Sequence, residues 1–158
     1  MNRERLIKDL IRFEGIRYEK YFCSADKETI KNQKRYTIGV GHLIRDDEPE
    51  LLSREKPLTN EEVMVLLNKD LDIAIKEANK FIDPTAIEPE AWEIICHLSF
   101  WLGITTLLKF KKAQQSLEER DYILCSEELL DSRLGKSEYA GIQTDHKTLL
   151  IVSTFFSK

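Results

Sequence analysis

Apolar residues recur at helical spacing in the first part of the chain. Their positions are Leu6, Ile7, Leu10 and Ile11. Because they repeat at intervals of three and four, they predict a helix over residues 3–13. Gly15 follows and is suited to end this helix, since glycine readily takes the backbone conformation of a helix C-terminus.

Two short runs rich in aromatic and β-branched residues come next. They cover residues 18–22 and 35–40, and their composition predicts two strands. The segment between them, residues 24–34, is polar and charged. It favours a solvated loop or a distorted hairpin.

Residues 59–62, with the sequence TNEE, have the pattern of a helix start. Thr59 can cap the backbone, and Glu62, three residues later, can reach back to it. Apolar residues at helical spacing carry this helix toward Phe81, and residues 83–84 (Asp-Pro) stop it. A long helix that leaves a strand-rich segment predicts a connector between two lobes.

The remainder of the chain is predicted to be helical. One helix begins at Pro89, which suits a first turn, and runs to Gly103. Shorter helices are predicted over residues 105–119, 122–132 and 144–155. The pattern therefore predicts a mainly α architecture with a small β-hairpin near the N-terminus.

Composition narrows the class of protein. The chain has 158 residues, 42% hydrophobic and 33% charged, which suits one ordinary globular domain. Its net charge of -4 argues against a nucleic-acid partner. The longest apolar stretch, residues 91–108, contains Glu93, His97 and Gly103 and indicates a buried core helix rather than a membrane span. No secretory signal is visible.

The three cysteines form neither a CxxC motif nor a Cys/His metal pattern, so no metal and no disulfide framework are expected. Cys96 and Cys125 lie in apolar helical surroundings and are expected to be buried free thiols. Folding in a reducing compartment is the expectation.

Glu14 and Thr37 are candidates for glycosidic bond cleavage. That reaction needs a proton donor for the leaving oxygen and a second group that handles water or the sugar cation. Glu14 stands at the predicted end of a helix and suits the donor role, while Thr37 lies on a glycine-flanked strand. Either residue alone is more simply a solvated acid or a strand residue.

At this point the sequence resembles the phage-type lysozymes, the family of the T-even bacteriophage lysozyme and of many endolysins. The resemblance rests on residues 13–17 (FEGIR) and 36–42 (YTIGVGH), and more weakly on residues 59–75 and 100–103. The pairs at 132–133 and 143–144 lie near similar pairs in the family.

The resemblance implies an α+β lysozyme-like fold in a single domain, residues 1–158. It implies a β-hairpin lobe (14–59), an interlobe helix (60–82), and a helical C-terminal lobe (83–158) that also includes the helix over 1–13.

The family's catalytic set is a Glu, an Asp nine residues later and a Thr. By resemblance these positions fall on Glu14, Cys23 and Thr37. Two alternatives follow for the second group. Cys23 works as a thiolate or as a hydrogen-bonding partner for water, or Asp26 in the inserted polar stretch supplies the carboxylate.

The resemblance implies an inverting mechanism, in which Glu14 protonates the glycosidic oxygen while Cys23 and Thr37 position the attacking water. A thiolate close enough to attack would instead form a thioglycosyl intermediate and retain the configuration. The sequence leaves both outcomes open.

Further residues match supporting positions of the family. His42 and Asp70 are expected to pair, unless His42 is an unpaired surface residue. Lys147 falls where the family has an Arg that orients the catalytic Glu, with a solvated helix lysine as the alternative. His97 and Trp101 can line the sugar groove, although His97 is more simply a core residue.

The resemblance therefore implies a peptidoglycan muramidase, a phage or prophage endolysin that cleaves between N-acetylmuramic acid and N-acetylglucosamine. Peptidoglycan is the expected partner, with no nucleic acid, no membrane and no cofactor. We expect a monomer that resides in the host cytoplasm before its release to the cell wall. Two alternatives remain, a catalytically silent wall-binding module on the same scaffold and an antibacterial toxin domain with the same chemistry.

Overall fold

The computed structural model describes residues 1–22 and 36–131. Helix α1 spans Arg3–Glu14 and begins at Asn2, whose side chain accepts a hydrogen bond from the backbone amide of Arg5. Gly15 ends it with a φ of 73°, and its amide donates to the carbonyl of Ile11. The predicted first helix and its glycine stop are confirmed.

A three-stranded antiparallel sheet follows in the order β1-β2-β3. Strand β1 spans Arg17–Phe22, β2 spans Tyr36–Gly39 and β3 spans His42–Leu43. The pairing of β1 with β2 has an irregularity between Arg17 and Tyr21. The two predicted strands are confirmed, whereas β3 was not predicted because two residues are too few to show an alternating pattern.

A four-residue helix, α2 (Pro49–Leu52), and a long helix, α3 (Asn60–Ala78), come next. The capping box at the start of α3 is present, since Thr59 accepts from the Glu62 amide and Glu62 accepts from the Thr59 amide. This start is as predicted, but regular helix ends at Ala78 and turns carry the chain on toward Phe81. Helix α2 was not predicted.

The rest of the described chain is helical apart from short connections. After a 3-10 turn at Pro84–Ala86 come α4 (Pro89–Leu102), α5 (Ile104–Leu107), α6 (Lys111–Glu118) and α7 (Tyr122–Asp131). Pro89 stands in the first turn of α4 and Gly103 ends it, as predicted. The single helix predicted over residues 105–119 is wrong, because a turn at Leu108 and Lys109 divides it into α5 and α6. The helix predicted over 144–155 lies outside the described residues.

One connected apolar core joins these elements. Helix α3 packs on α4 and on the sheet, α1 packs on α4, and α6 packs on α7. The side chains that are least exposed include Leu6, Leu10, Ile38, Leu67, Leu71, Ile95, Leu98, Leu107, Leu117 and Leu129. Helix α3 therefore contributes buried residues both toward the hairpin and toward the other helices.

Cys96 and Cys125 are free and buried, as predicted. Burial raises the pKa of both thiols to about 12, so they are inert at neutral pH. Within the described residues, no helix is long and apolar enough to span a bilayer.

Candidate active site

Glu14 is the last residue of α1 and is half-buried. Gly15, in its left-handed conformation, turns the chain from the helix directly into β1. The Glu14 carboxyl is thereby held where the helix meets the sheet. Phe13, the preceding residue, packs edge-on against His97 of α4, with 5.0 Å between ring centroids.

Thr37 lies on the central strand of the sheet and is buried, with 8% of its surface exposed. It stands opposite Tyr21 of β1 and Leu43 of β3. Its position is therefore determined by neighbours on both sides.

Gly41 brings the hairpin against the Glu14 carboxylate. It lies in the turn between β2 and β3 with a φ of 65°, a conformation that favours glycine. A methyl group built on Gly41 would stand 3.1 Å from Oε2 of Glu14. A side chain at this position would press on the carboxylate, which would have to move by a few tenths of an ångström, and the positive φ by itself favours glycine.

The residue after Gly41, His42, is buried between two carboxylates. Its Nδ1 lies 2.6 Å from Oδ2 of Asp70 on α3. Its Nε2 lies 2.9 Å from Oε2 and 3.1 Å from Oε1 of Glu48, which precedes α2. The His42–Asp70 pair expected from the sequence is confirmed, and the alternative of an unpaired surface histidine is wrong. Glu48 was not predicted.

The two carboxylates favour the protonated form of His42. Burial lowers the pKa of His42, but the hydrogen bonds that its ring donates to Asp70 and Glu48 outweigh burial and leave the pKa raised above its ordinary value. Burial likewise raises the pKa of Glu48, but hydrogen bonds from the Arg45 amide and from His42 outweigh it and leave that pKa lowered. An imidazolium has a donor on each nitrogen, which is what two acceptors require.

These shifts define a pH window for the cluster. The stability that His42 contributes is fully present below the pKa of an unfolded histidine and is lost as the pH rises through the raised folded-state pKa. The stability that Glu48 contributes is present above the pKa of an unfolded glutamate and is lost as the pH falls through the lowered folded-state pKa. The cluster is therefore strongest between these two limits.

The arrangement of the cluster is that of an ion-paired anchor. The two nitrogens of His42 face separate carboxylates, so Asp70 and Glu48 do not converge on one point. Among residues 1–22 and 36–131, no group of three or more His, Cys, Asp or Glu could hold a metal ion.

A groove of about 590 Å³ opens beside the cluster, between the β2–β3 turn and helices α3, α4 and α5. Its apolar wall includes Leu43 and Ile73, which are 43% and 47% exposed, together with Phe100. Its charged residues are Arg45, Asp70 and Glu77. Apolar walls with a few polar groups are typical of ligand-binding grooves.

Gly41 connects this groove to Glu14. It lines the groove and it also abuts the Glu14 carboxylate, so the groove reaches to within one residue of that acid. Within the described part of the chain, Glu14 and the β2–β3 turn are thus brought together from elements 27 residues apart (41 minus 14).

The other predicted site residues fall in three groups. His97 is 4% exposed and packs on Phe13, which fits the alternative of a core residue; a role in sugar binding stays a prediction. Trp101 is half-buried and, like His97, is not part of the groove lining described above. Cys23, Asp26 and Lys147 lie outside the described residues.

Glu48 and Gly41 are the residues that sequence reasoning missed. Glu48 ends a run of three acids, Asp46, Asp47 and Glu48, and only the fold distinguishes the one that turns inward. Gly41 belongs to a motif that was singled out, but its contact with Glu14 depends on how the hairpin folds onto α1.

A comparison with family models matches residues 11–144 of this chain to the family described as phage lysozyme. The match covers most of the chain and includes Glu14, Thr37 and the His42 cluster. A comparison with curated proteins gave no match.

Proposed function

Because the chain belongs to the phage lysozyme family, we propose that it is a muramidase that hydrolyses the β-1,4 bond between N-acetylmuramic acid and N-acetylglucosamine. Membership of the family supports a lysozyme-type glycosidase that acts on peptidoglycan. The biological role that we propose is phage-mediated lysis, with the protein held in the host cytoplasm until its release to the cell wall.

Glu14 is the proposed general acid. The observation that carries this role is that the Glu14 carboxylate lies close to Gly41, which lines the groove. A glycine at this point leaves space beside the carboxylate, which a larger side chain would crowd. In the proposed reaction Glu14 gives its proton to the leaving glycosidic oxygen.

The second half of the reaction is the delivery of water to the sugar. We propose that Thr37 holds this water together with Cys23, and we keep Asp26 as the alternative partner. The expected outcome is inversion, which needs roughly 6.5–9.5 Å between the two catalytic groups so that a water fits between them. Attack by the thiolate itself would give retention.

The groove supports a glycan strand as substrate. Its apolar wall can pack against the faces of sugar rings, and its charged residues can bind amide, hydroxyl or peptide groups of the strand. We propose that the groove runs between a hairpin lobe, residues 14–59, and a helical lobe, residues 83–158 with the helix over 1–13, joined by residues 60–82. Trp101 and Lys147 stay proposed substrate-binding residues.

Loss of turbidity of purified peptidoglycan tests the function. Wild-type protein under reducing conditions is compared with Glu14→Gln, Cys23→Ser and Asp26→Asn. Because a positioned general acid contributes about a hundredfold or more to the rate, Glu14→Gln is expected to lose at least that much activity. Glu4→Gln is the matched control, since Glu4 lies on the same helix and is exposed in an ion pair with Lys8.

Each outcome separates one hypothesis from another. If the wild type is inert but still sediments with peptidoglycan, the chain is a silent wall-binding module rather than an enzyme. Loss of activity in Asp26→Asn, with Cys23→Ser unaffected, would move the second catalytic role to Asp26. Anomeric analysis of the released sugar by NMR distinguishes inversion from retention.

A further inference from the structure

Glu48 is buried beside the candidate active site, but it has no role in the proposed reaction. We propose that Glu48 is a positioning residue for the Glu14 carboxyl, acting through His42 and Gly41. This inference rests on the proposed role of Glu14 as the general acid.

The first step of the argument is the anchoring of His42. Its ring is held on one side by Asp70 of α3, at 2.6 Å, and on the other by Glu48, at 2.9 Å. Glu48 is itself fixed, because its Oε2 accepts the backbone amide of Arg45 at 2.9 Å. His42 therefore has two anchors in different elements, and Glu48 is the one that belongs to the loop before α2.

The second step is the connection from His42 to Glu14. His42 pairs with Ile38 across the hairpin, and Gly41 directly precedes it in the chain. Since Gly41 already approaches the Glu14 carboxylate closely, movement of Gly41 changes the space that this carboxylate occupies. Through Gly41, the anchor of His42 thus limits the space in which the Glu14 carboxyl can stand.

The third step is the charge around His42. Asp70 of α3 and Glu48 bear the negative charges that contact it, Arg45 lies 3.7 Å from Glu48, and Glu77 lines the same groove. Helices α4 and α5 contribute uncharged residues to the groove lining. A neutral imidazole has only one N–H, so one of its two carboxylate partners would face a lone pair. Loss of the proton therefore releases one anchor.

The test compares Glu48→Gln with Asp47→Asn. Glutamine keeps an oxygen that can accept from His42 and removes the charge. Asp47 lies in the same loop and is exposed, with its carboxylate on Arg45 rather than His42, so Asp47→Asn is the matched control. NMR follows the His42 ring and the carboxyl carbon of Glu14 across the pH range, and kcat and KM are measured on soluble peptidoglycan fragments.

We expect the His42 pKa to fall by about one unit in Glu48→Gln, because one opposite charge is removed. In wild type the Glu14 carboxyl signal shifts at the pH where His42 titrates. In Glu48→Gln that shift moves to lower pH by the same amount, and kcat falls about tenfold between the old and new His42 pKa values with KM unchanged. Asp47→Asn leaves both unchanged.

A Glu14 signal that ignores the His42 titration would overturn the inference, as would a fall in melting temperature in Glu48→Gln with no movement of the kcat profile. If Glu48→Gln does not fold, a wild-type Glu14 signal that ignores the His42 titration still overturns the inference, and a signal that follows it supports the connection from His42 to Glu14. If the wild type proves inert on peptidoglycan, the proposed function fails, while the NMR readout still decides whether Glu48 positions Glu14.

A pair of glycine variants tests the connection through Gly41. Gly41→Ala and Gly39→Ala both place alanine at a positive φ, 65° and 67° respectively. Only the methyl group at 41 lies 3.1 Å from Glu14, whereas the one at 39 makes an ordinary 3.5 Å contact with Leu66. We expect similar losses of stability and a kcat about tenfold lower for Gly41→Ala than for Gly39→Ala. Equal kcat values would contradict the connection.

Discussion

Two buried carboxylates each pair with a basic side chain, Glu48 in the hairpin region and Glu93 between α1 and α4. Glu48 meets His42, whose charge depends on pH near neutrality. Glu93 of α4 meets Arg5 of α1, 88 residues away, through two hydrogen bonds of 2.8 Å, and it also accepts the backbone amide of Asn2. Arginine stays charged at every pH at which the protein folds.

The pKa of Glu93 reflects its pairing with Arg5. Burial raises it, but the hydrogen bonds from Arg5 and from Asn2 outweigh burial and leave the pKa lowered. The Glu93 contribution to stability is therefore present above the pKa of an unfolded glutamate and has no upper limit near neutral pH. The comparison teaches that the anchor beside the candidate active site responds to alkaline pH, whereas the anchor of α1 does not.

The largest expected effect comes from Asp70→Asn. It removes one charge partner of a buried histidine, so we expect the free energy of unfolding to fall by about 3 kcal/mol at a pH where His42 is protonated. Because His42 loses its charge as the pH rises through its raised pKa, the difference from wild type should shrink at alkaline pH. Urea unfolding of both proteins across the pH range measures this difference in the free energy of unfolding. A difference that is constant with pH would contradict the assignment of His42 as the titrating partner.

Arg5→Ala should have a smaller and different effect. It leaves Glu93 with the Asn2 amide, and because Arg5 is 48% exposed we expect a smaller loss of stability than for Asp70→Asn. From pH 6 to 9, approximately, this loss should stay constant, since neither partner titrates there. Activity measured well below the melting temperature should stay at the wild-type level. If the loss of stability in Arg5→Ala instead followed the titration of His42, the two anchors would not differ in their response to pH.

Asp72→Asn should have the smallest effect. Asp72 lies two residues from Asp70 on the same helix and binds Arg3 at 2.8 Å, but the two side chains are 69% and 37% exposed. Exposed pairs contribute little, so we expect a loss below about 0.5 kcal/mol. Comparing Asp70→Asn with Asp72→Asn therefore separates the effect of burial on stability from the effect of ion pairing alone. Equal losses in urea unfolding would show that burial does not matter here.

Much of the fold could be predicted because its signals are local. The capping box of α3, the glycine stop of α1 and the proline start of α4 each depend on residues within one turn of one another. Strand β3 and helix α2 were missed because they are two and four residues long, too short to show a periodic pattern. The division between α5 and α6 was missed because the apolar pattern continues through the turn.

The candidate site was predicted unevenly for the same reason. Glu14, Thr37 and the pairing of His42 with Asp70 were predicted from motifs, and the structure adds their surroundings. Glu48 was missed because the sequence alone does not show which of three successive acids reaches His42 once the loop folds. The roles of Cys23 and Lys147 stay predictions, to be decided by the activity assays above.

The sequence by itself determined the family, the main helices, and the residue types that can carry glycosidase chemistry, because these depend on local spacing and on motifs. The tertiary structure alone decided which acid reaches His42, and it decided that Gly41 stands against the Glu14 carboxylate. Both contacts join elements that are separate in the chain, and only packing around the common core brings them within hydrogen-bonding or van der Waals distance.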